Sequence, residues 1–233
     1  MGQIVNYNLT EELEHGIYVS LLVRDLATEL GLSEKAVRSF QLAGLLHDIG
    51  KLKLTNYLYG NEEIVSPLVI EEMKYVRMHP MLSYEILLKR GFDALVLESV
   101  RYHHEDYDGT GFPSNLVGDE IPLGARVIRV CDVYAALTSD RPYRKRFEVD
   151  EAISLMIDEI THFDMRIFLA FQRVIHRVGT THHILLAEND SDLVEKYILP
   201  IPDEIRVREM VAEEGLPGET VRTHYERIPD PMA

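Results

Sequence analysis

The stretch Ser33–Gly50, SEKAVRSFQLAGLLHDIG, starts on a helix-capping serine, continues with apolar residues at helical spacing and ends on a His-Asp pair followed by Ile and Gly. Ser before an apolar repeat of period 3.6 marks a helix start and Gly marks a stop, so the spacing predicts a helix that Gly50 ends just past His47 and Asp48. The same pattern recurs on both sides. Upstream, LTEELEHGIYVSLLVRDLATELG predicts a helix capped by Thr10, with acidic first-turn residues and a stop at Gly31. Downstream, Ser66-Pro67 is a cap followed by a first-turn proline. His79-Pro80 opens a helix that Gly91 closes, and Asp93 caps ALVLESVRYHH. LGARVIRVCDVYAALTS, DEAISLMIDEI and DMRIFLAFQRVIHRV supply three more. With no internal repeat and no two-residue alternation in this part, an all-α domain of residues 1–178 is expected.

Residues 179–233 differ in character. From residue 180 onward there are five Lys or Arg against twelve Asp or Glu, a net of −7 within the −15 of the whole chain. An acidic C-terminal extension with short strands at HHILLA and VEKYILPIP and a loose Pro-rich end is expected.

At 233 residues and 46% hydrophobic content, the chain can bury one large core. The single cysteine, Cys131, rules out an internal disulfide framework and sits in an apolar helical pattern, as a buried small hydrophobe would. No apolar run has a membrane-spanning length, and MGQIVNYNLTEELEHG lacks the basic start and apolar stretch of a signal peptide, so a cytoplasmic protein without a membrane partner is expected. The strong negative charge argues against binding a DNA or RNA polymer but leaves room for a small anion. Positive charge is concentrated in DRPYRKRF, at Arg141, Arg144, Lys145 and Arg146.

Eight imidazole and carboxylate side chains fall near the ends or along one face of consecutive predicted helices. Glu11 and His15 are four apart on one helix face. His47 and Asp48 end the second helix, His79 starts another, His103 and His104 close the one from Asp93, and Asp132 lies mid-helix among apolar residues. Singly, each has an ordinary structural explanation; together they suggest divalent metals, whose ligands are neutral imidazoles and carboxylates. One Asp can bridge two ions, and a pair ~3.5–4 Å apart binds a water, lowers its pKa and stabilises both oxygens of a phosphodiester displacement. Without thiolates a structural zinc site is disfavoured, so the centre is expected to be catalytic.

HDIGK, then His79-Pro80, then HHEDYDGTGFP, then IPLGARVIRVCDVYAALTSDRPYR resemble the successive signatures of the HD-GYP family, a branch of the HD superfamily of metal-dependent phosphohydrolases. The resemblance covers about residues 8–178. It implies an all-helical fold, two or three divalent ions with Fe or Mn foremost, and hydrolysis of cyclic di-GMP to pGpG or GMP by a metal-bridging hydroxide. By the same similarity Asp48 is the bridging catalytic ligand. His15, His47 and Asp132 hold one ion, His79, His103 and His104 a second, and Glu11 adds a ligand for a third. Lys51 would reach a phosphate oxygen or the hydroxide. Arg141 and Arg144 match phosphate-facing positions, and Gly111, Phe112 and Pro113 form a substrate lip where glycine lets the backbone approach a nucleotide and proline stiffens the turn.

The chain departs from the family pattern at three places. Gly-Tyr-Pro reads Gly111-Phe112-Pro113, DVYDAL reads DVYAAL with Ala135 in place of Asp, and KLKLTNYLYGNEEIVSP replaces the usual Lys-Pro-Gly loop. The alternatives to a cyclic di-GMP phosphodiesterase are therefore a module that binds metal and cyclic dinucleotide and signals through a partner protein or a homodimer, and a phosphohydrolase acting on another cyclic dinucleotide or nucleotide.

Overall fold

The computed structural model describes residues 9–53, 76–140 and 144–178, with side chains described from Glu12 to Arg177 within them. The expected Ser66-Pro67 helix start, Arg141, the side chain of Glu11 and the acidic segment 179–233 lie outside the described residues. Among those described are seven α-helices: α1 (Leu9–Glu29), α2 (Glu34–Leu46), α3 (His79–Lys89), α4 (Ala94–Arg101), α5 (Leu123–Thr138), α6 (Val149–Asp158) and α7 (Met165–Val178). Short 3-10 turns at Gly118–Glu120 and Ile160–His162 complete the regular structure, and no strand element occurs among the described residues. The fold is all-α, as expected.

Two of the predicted caps close as the sequence chemistry dictates. Ser33 Oγ accepts the Ala36 N–H at 3.3 Å, and Asp93 Oδ1 accepts the Val96 N–H at 3.0 Å. Thr10 lies inside α1 instead of capping it, a displacement within the usual one- or two-residue ambiguity of a helix end.

The second helix also ends earlier than predicted. α2 stops at Leu46, and the chain tightens into i→i+3 bonds from Ile49 to Leu46 (3.1 Å) and from Lys51 to Asp48 (2.9 Å). The Gly50 N–H is taken by Ser83 Oγ of α3 at 2.8 Å, while that hydroxyl donates to His47 O at 2.7 Å. A side chain from another helix therefore competes with the helical ladder and turns the His-Asp pair out of it. A Cβ on Gly50 would lie 2.3 Å from His79 O, so only glycine lets α3 come this close.

α5 is the central helix. Ala125, Val127, Ile128, Val130, Cys131 and Ala135 are fully buried, and α5 packs on α1, α2, α4, α6 and α7. Tyr134 meets Phe171 of α7 edge-on at 5.1 Å. α7 turns Phe168, Phe171, Val174 and Ile175 inward and Arg173 and Arg177 outward, where both pair with Glu29 at the end of α1. Burying large apolar side chains contributes roughly 1.5–3 kcal/mol each, so this core fixes the helix positions on which the polar centre depends.

Candidate metal centre

Three histidines are oriented by the same local device. His47 Nδ1 lies 2.8 Å from Gly44 O, His79 Nδ1 2.5 Å from Val76 O and His103 Nδ1 2.6 Å from Val100 O. Each bond runs back three residues to a carbonyl that a helix or turn end leaves available, so Nδ1 carries a hydrogen and Nε2 points into the molecule. The centre thus sits where α2, the turn before α3, and α4 terminate.

Two adjoining groups result. Asp48, His79, His103 and His104 form one and His15, His47 and Asp132 the other, with the donor atoms of each group within 4.8 Å of one another. Asp48 faces both. Its Oδ1 is 3.0 Å from His79 Nε2 and 3.9 Å from His103 Nε2, and its Oδ2 is 3.2 Å from His47 Nε2. In the second group Asp132 Oδ1 is 2.9 Å from His15 Nε2 and 3.7 Å from His47 Nε2.

Charge and burial sharpen this picture. Burial holds His103 well below the usual imidazole range, with His104, His47 and His79 adding to the effect. Burial and then His79 bring His104 down to about 3, so both rings are neutral near pH 7. Burial would also keep His47 neutral, but the charges of Asp48 and Asp132 push it up to about 10. For Asp48, burial favours the acid form, yet His47, Lys51 and His79 hold it well below the usual carboxylate range. Asp132 follows the same pattern, with the hydrogen bond from His15 and the charge of His47 overcoming burial.

With a neutral ring and its hydrogen on Nδ1, His103 presents only a lone pair at Nε2. That atom is 3.2 Å from His79 Nε2, which in turn is 3.1 Å from His104 Nε2. His79 likewise directs its Nδ1 hydrogen to a carbonyl, so the Nε2 atoms of His79 and His103 face each other as acceptors, and His104 Nε2 closes on the same point. Among the described residues, His47 Nε2 and Asp48 Oδ1 are buried and have no hydrogen-bond partner. A divalent cation satisfies all of these atoms at once, taking the place of the proton that Asp48 and Asp132 otherwise hold on His47, and the nitrogen and carboxylate donor set suits first-row divalent ions. The residues present fit a metal centre.

Lys51 donates from Nζ to Asp48 Oδ2 at 2.6 Å and to Glu12 Oε2 at 3.3 Å. Burial would lower its pKa, but Asp48 and Glu12 raise it, so it stays an ammonium. Glu12, read from sequence only as one of several first-turn acids, is thus tied to the centre through Lys51. Glu11 lies on α1 four residues before His15.

The segment after His104 folds back onto it. The Phe112 N–H donates to His104 O at 3.0 Å, and the Phe112 ring stacks on the His104 imidazole with centroids 4.7 Å apart and planes 20° apart. Glu105 Oε1 accepts the Ser114 N–H at 2.6 Å and Oε2 the Leu116 N–H at 3.0 Å, latching the loop from inside. A Cβ on Gly111 would lie 2.2 Å from Asp106 N, so this glycine is required by close backbone packing. Pro113 follows a cis peptide bond. Glu105 was missed as a functional position because its partners are backbone groups nine and eleven residues ahead, which leave no periodic trace.

Arg144 is engaged elsewhere. Its guanidinium donates to Ala136 O (2.9 Å), Leu137 O (3.1 Å) and Lys145 O (2.9 Å) and lies over the Phe147 ring at 4.4 Å. It caps the C-terminus of α5. Ala135 is fully buried among apolar side chains of the core.

A helical bundle that gathers His and Asp side chains at its helix ends, headed by a His-Asp pair, has the architecture of a metal-dependent phosphohydrolase of the HD type. Residues 1–167 match the HD domain family, and the chain belongs to that family, with the motif order of its HD-GYP branch. It is 41% identical over 162 residues to a cyclic di-GMP phosphodiesterase of Pseudomonas aeruginosa, covering 69% of this chain and 38% of that protein. It is 31% identical over 176 residues to 3'3'-cGAMP-specific phosphodiesterase 3 of Vibrio cholerae, covering 75% and 38%. The chain thus spans about two fifths of the length of these curated relatives. An HDG"Y"P protein from Bdellovibrio bacteriovorus has the same fold, with a TM-score of 0.55 at 24% identity over 73% of this chain and 55% of that one. No described helix is long and apolar enough to cross a membrane.

Proposed function

We propose that the protein is a metal-dependent phosphodiesterase that opens cyclic di-GMP to pGpG, or onward to GMP, in the cytoplasm. The observation that carries this reading is the convergence of histidine Nε2 atoms on Asp48, whose two oxygens face the two donor groups. His15, His47 and Asp132 would hold one divalent ion and His79, His103 and His104 another, with Asp48 between them. Glu11 would serve a third, and Fe or Mn suits the donors. Such ions supply Lewis acidity and a nucleophilic water at neutral pH.

The chain's own residues do the rest. The neutral rings of His103 and His104 keep their lone pairs available, and the carbonyl bonds of His47, His79 and His103 fix the direction in which each ring points. The Lys51 ammonium, held beside Asp48, is placed to offset charge on a phosphoryl oxygen. Arg141 is retained as a phosphate contact and Gly111, Phe112 and Pro113 as the lip, while Arg144 acts on that side through the α5 terminus it caps. Residues 179–233 are read as an acidic segment appended to the catalytic domain and open to a partner protein or a second copy.

The test is hydrolysis by protein loaded anaerobically with Fe(II) or Mn(II), with products separated by anion exchange. Linear product is expected, and Asp48→Ala should abolish it and lower metal content. Full metal occupancy without product would favour the binding module, and cleavage of 3'3'-cGAMP alone would favour the other cyclic dinucleotide. Retained activity in the Asp48 variant would refute the assignment of the bridge.

A further inference from the structure

Arg77 stands on the turn just before α3, two residues ahead of His79, whose Nδ1 bonds to Val76 O. Its side chain is exposed, and its guanidinium carbon lies 5.2 Å from the centroid of the Phe112 ring, the ring that stacks on His104. The two spacings put the cation within about 10 Å of the His104 ring, at the rim of the donor cluster. Among the described residues no carboxylate pairs with it. The other cations near the centre differ in this respect: Lys51 is bound to Asp48 and Glu12, and Arg144 to three carbonyls.

A cyclic dinucleotide carries two phosphodiesters, only one of which can sit at the metal ions at a time. The second must lie further out, and it remains an anion in an acidic protein. A guanidinium held over an aromatic ring keeps its N–H edge free for phosphate, in a planar fork that matches two oxygens. We infer that Arg77 binds the non-reacting phosphate of a cyclic dinucleotide at the rim of the site, and so selects that substrate class over simple phosphodiesters. The inference rests on the cyclic-dinucleotide reading above. Its energetic logic is that binding energy from a remote group is available only to a substrate that possesses the group.

The experiment compares the full chain and Arg77→Ala, both metal-loaded, on cyclic di-GMP and on bis(4-nitrophenyl) phosphate, which has no second phosphate. In the variant kcat/KM for cyclic di-GMP should fall on the order of tenfold to a hundredfold, mainly through KM. Hydrolysis of the aryl diester and metal content should not change, and Arg77→Lys should recover part of the loss. An equal fall on both substrates would mean that Arg77 acts through His104 and the metal ions, and no fall on either would remove it from the site; either result overturns the inference. Equilibrium binding of cyclic di-GMP is measured alongside. If the parent cleaves only the aryl diester, the proposed activity fails. Weaker cyclic di-GMP binding by Arg77→Ala would then still support the phosphate contact, and unchanged binding would reject it.

Discussion

His104 differs from its neighbours in how it is held. His47, His79 and His103 are each tied through Nδ1 to a carbonyl three residues back, whereas His104 has no such bond among the described residues and rests its ring on Phe112. A ligand positioned by a stacked ring depends on that ring for its orientation, and loss of a partner that orients a metal ligand typically lowers metal affinity about 10–100-fold. Phe112→Ala should therefore weaken binding of one ion by that order, measured by competition with a chelator. Phe112→Tyr, the usual family residue, keeps the ring and should match the parent. Equal metal retention in the Ala variant would show that the stack does not position His104. The loss of the tyrosine hydroxyl is accordingly less consequential than the retention of an aromatic face.

At the scale of elements, Asp164 joins α7 to α5. It precedes α7, accepts the Arg166 N–H at 2.9 Å as an N-cap, and reaches Arg126 of α5 at 2.8 Å. Burial would raise the Asp164 pKa, but hydrogen bonds and charge from Arg166, with Arg126, hold it below the usual range. A carboxyl depressed in the folded state stabilises above its unfolded pKa of ~3.9, and that stabilisation is lost as pH falls through the folded value. Asp164→Ala should cost about 1–3 kcal/mol in urea unfolding at pH 7, with the gap to the parent narrowing below about pH 4. A gap that is the same at about pH 3 would assign the effect to packing instead of charge.

The elements also show what a linear reading reaches. Caps at Ser33 and Asp93 and the apolar period of α5 and α7 are local signals, and they were legible. So were the His and Asp residues that the fold gathers, because motifs of known order carry them. The early end of α2 was not, since Ser83, more than thirty residues away, takes the Gly50 N–H. Nor were the Glu105 latch, the Arg144 cap and the Arg77–Phe112 contact, each made by a loop whose course only packing determines. Arg144 and Arg141 looked alike in sequence, both being Arg in one basic run, and the carbonyls at the end of α5 give Arg144 a structural task that composition does not encode.

Over the whole molecule the donor cluster is a meeting point of separate elements. α1 contributes His15, the turn after α2 His47 and Asp48, α3 His79, the end of α4 His103 and His104, and α5 Asp132. In the unfolded chain these five stretches are far apart in sequence and present no preformed site, so an ion that binds here binds the native state and stabilises it by mass action. At a free ion concentration a thousand times Kd the gain is about 4 kcal/mol, which in a domain of this size raises Tm on the order of 10 °C. The apolar core around α5 does not include the ligands, so chelator-treated protein should remain helical and melt at the lower temperature. Asp48→Ala removes the residue facing both groups and should lose most of the metal-induced rise while keeping its helical circular dichroism. A rise of the same size in that variant would place the stabilising ions elsewhere on this acidic chain and separate them from the His and Asp centre.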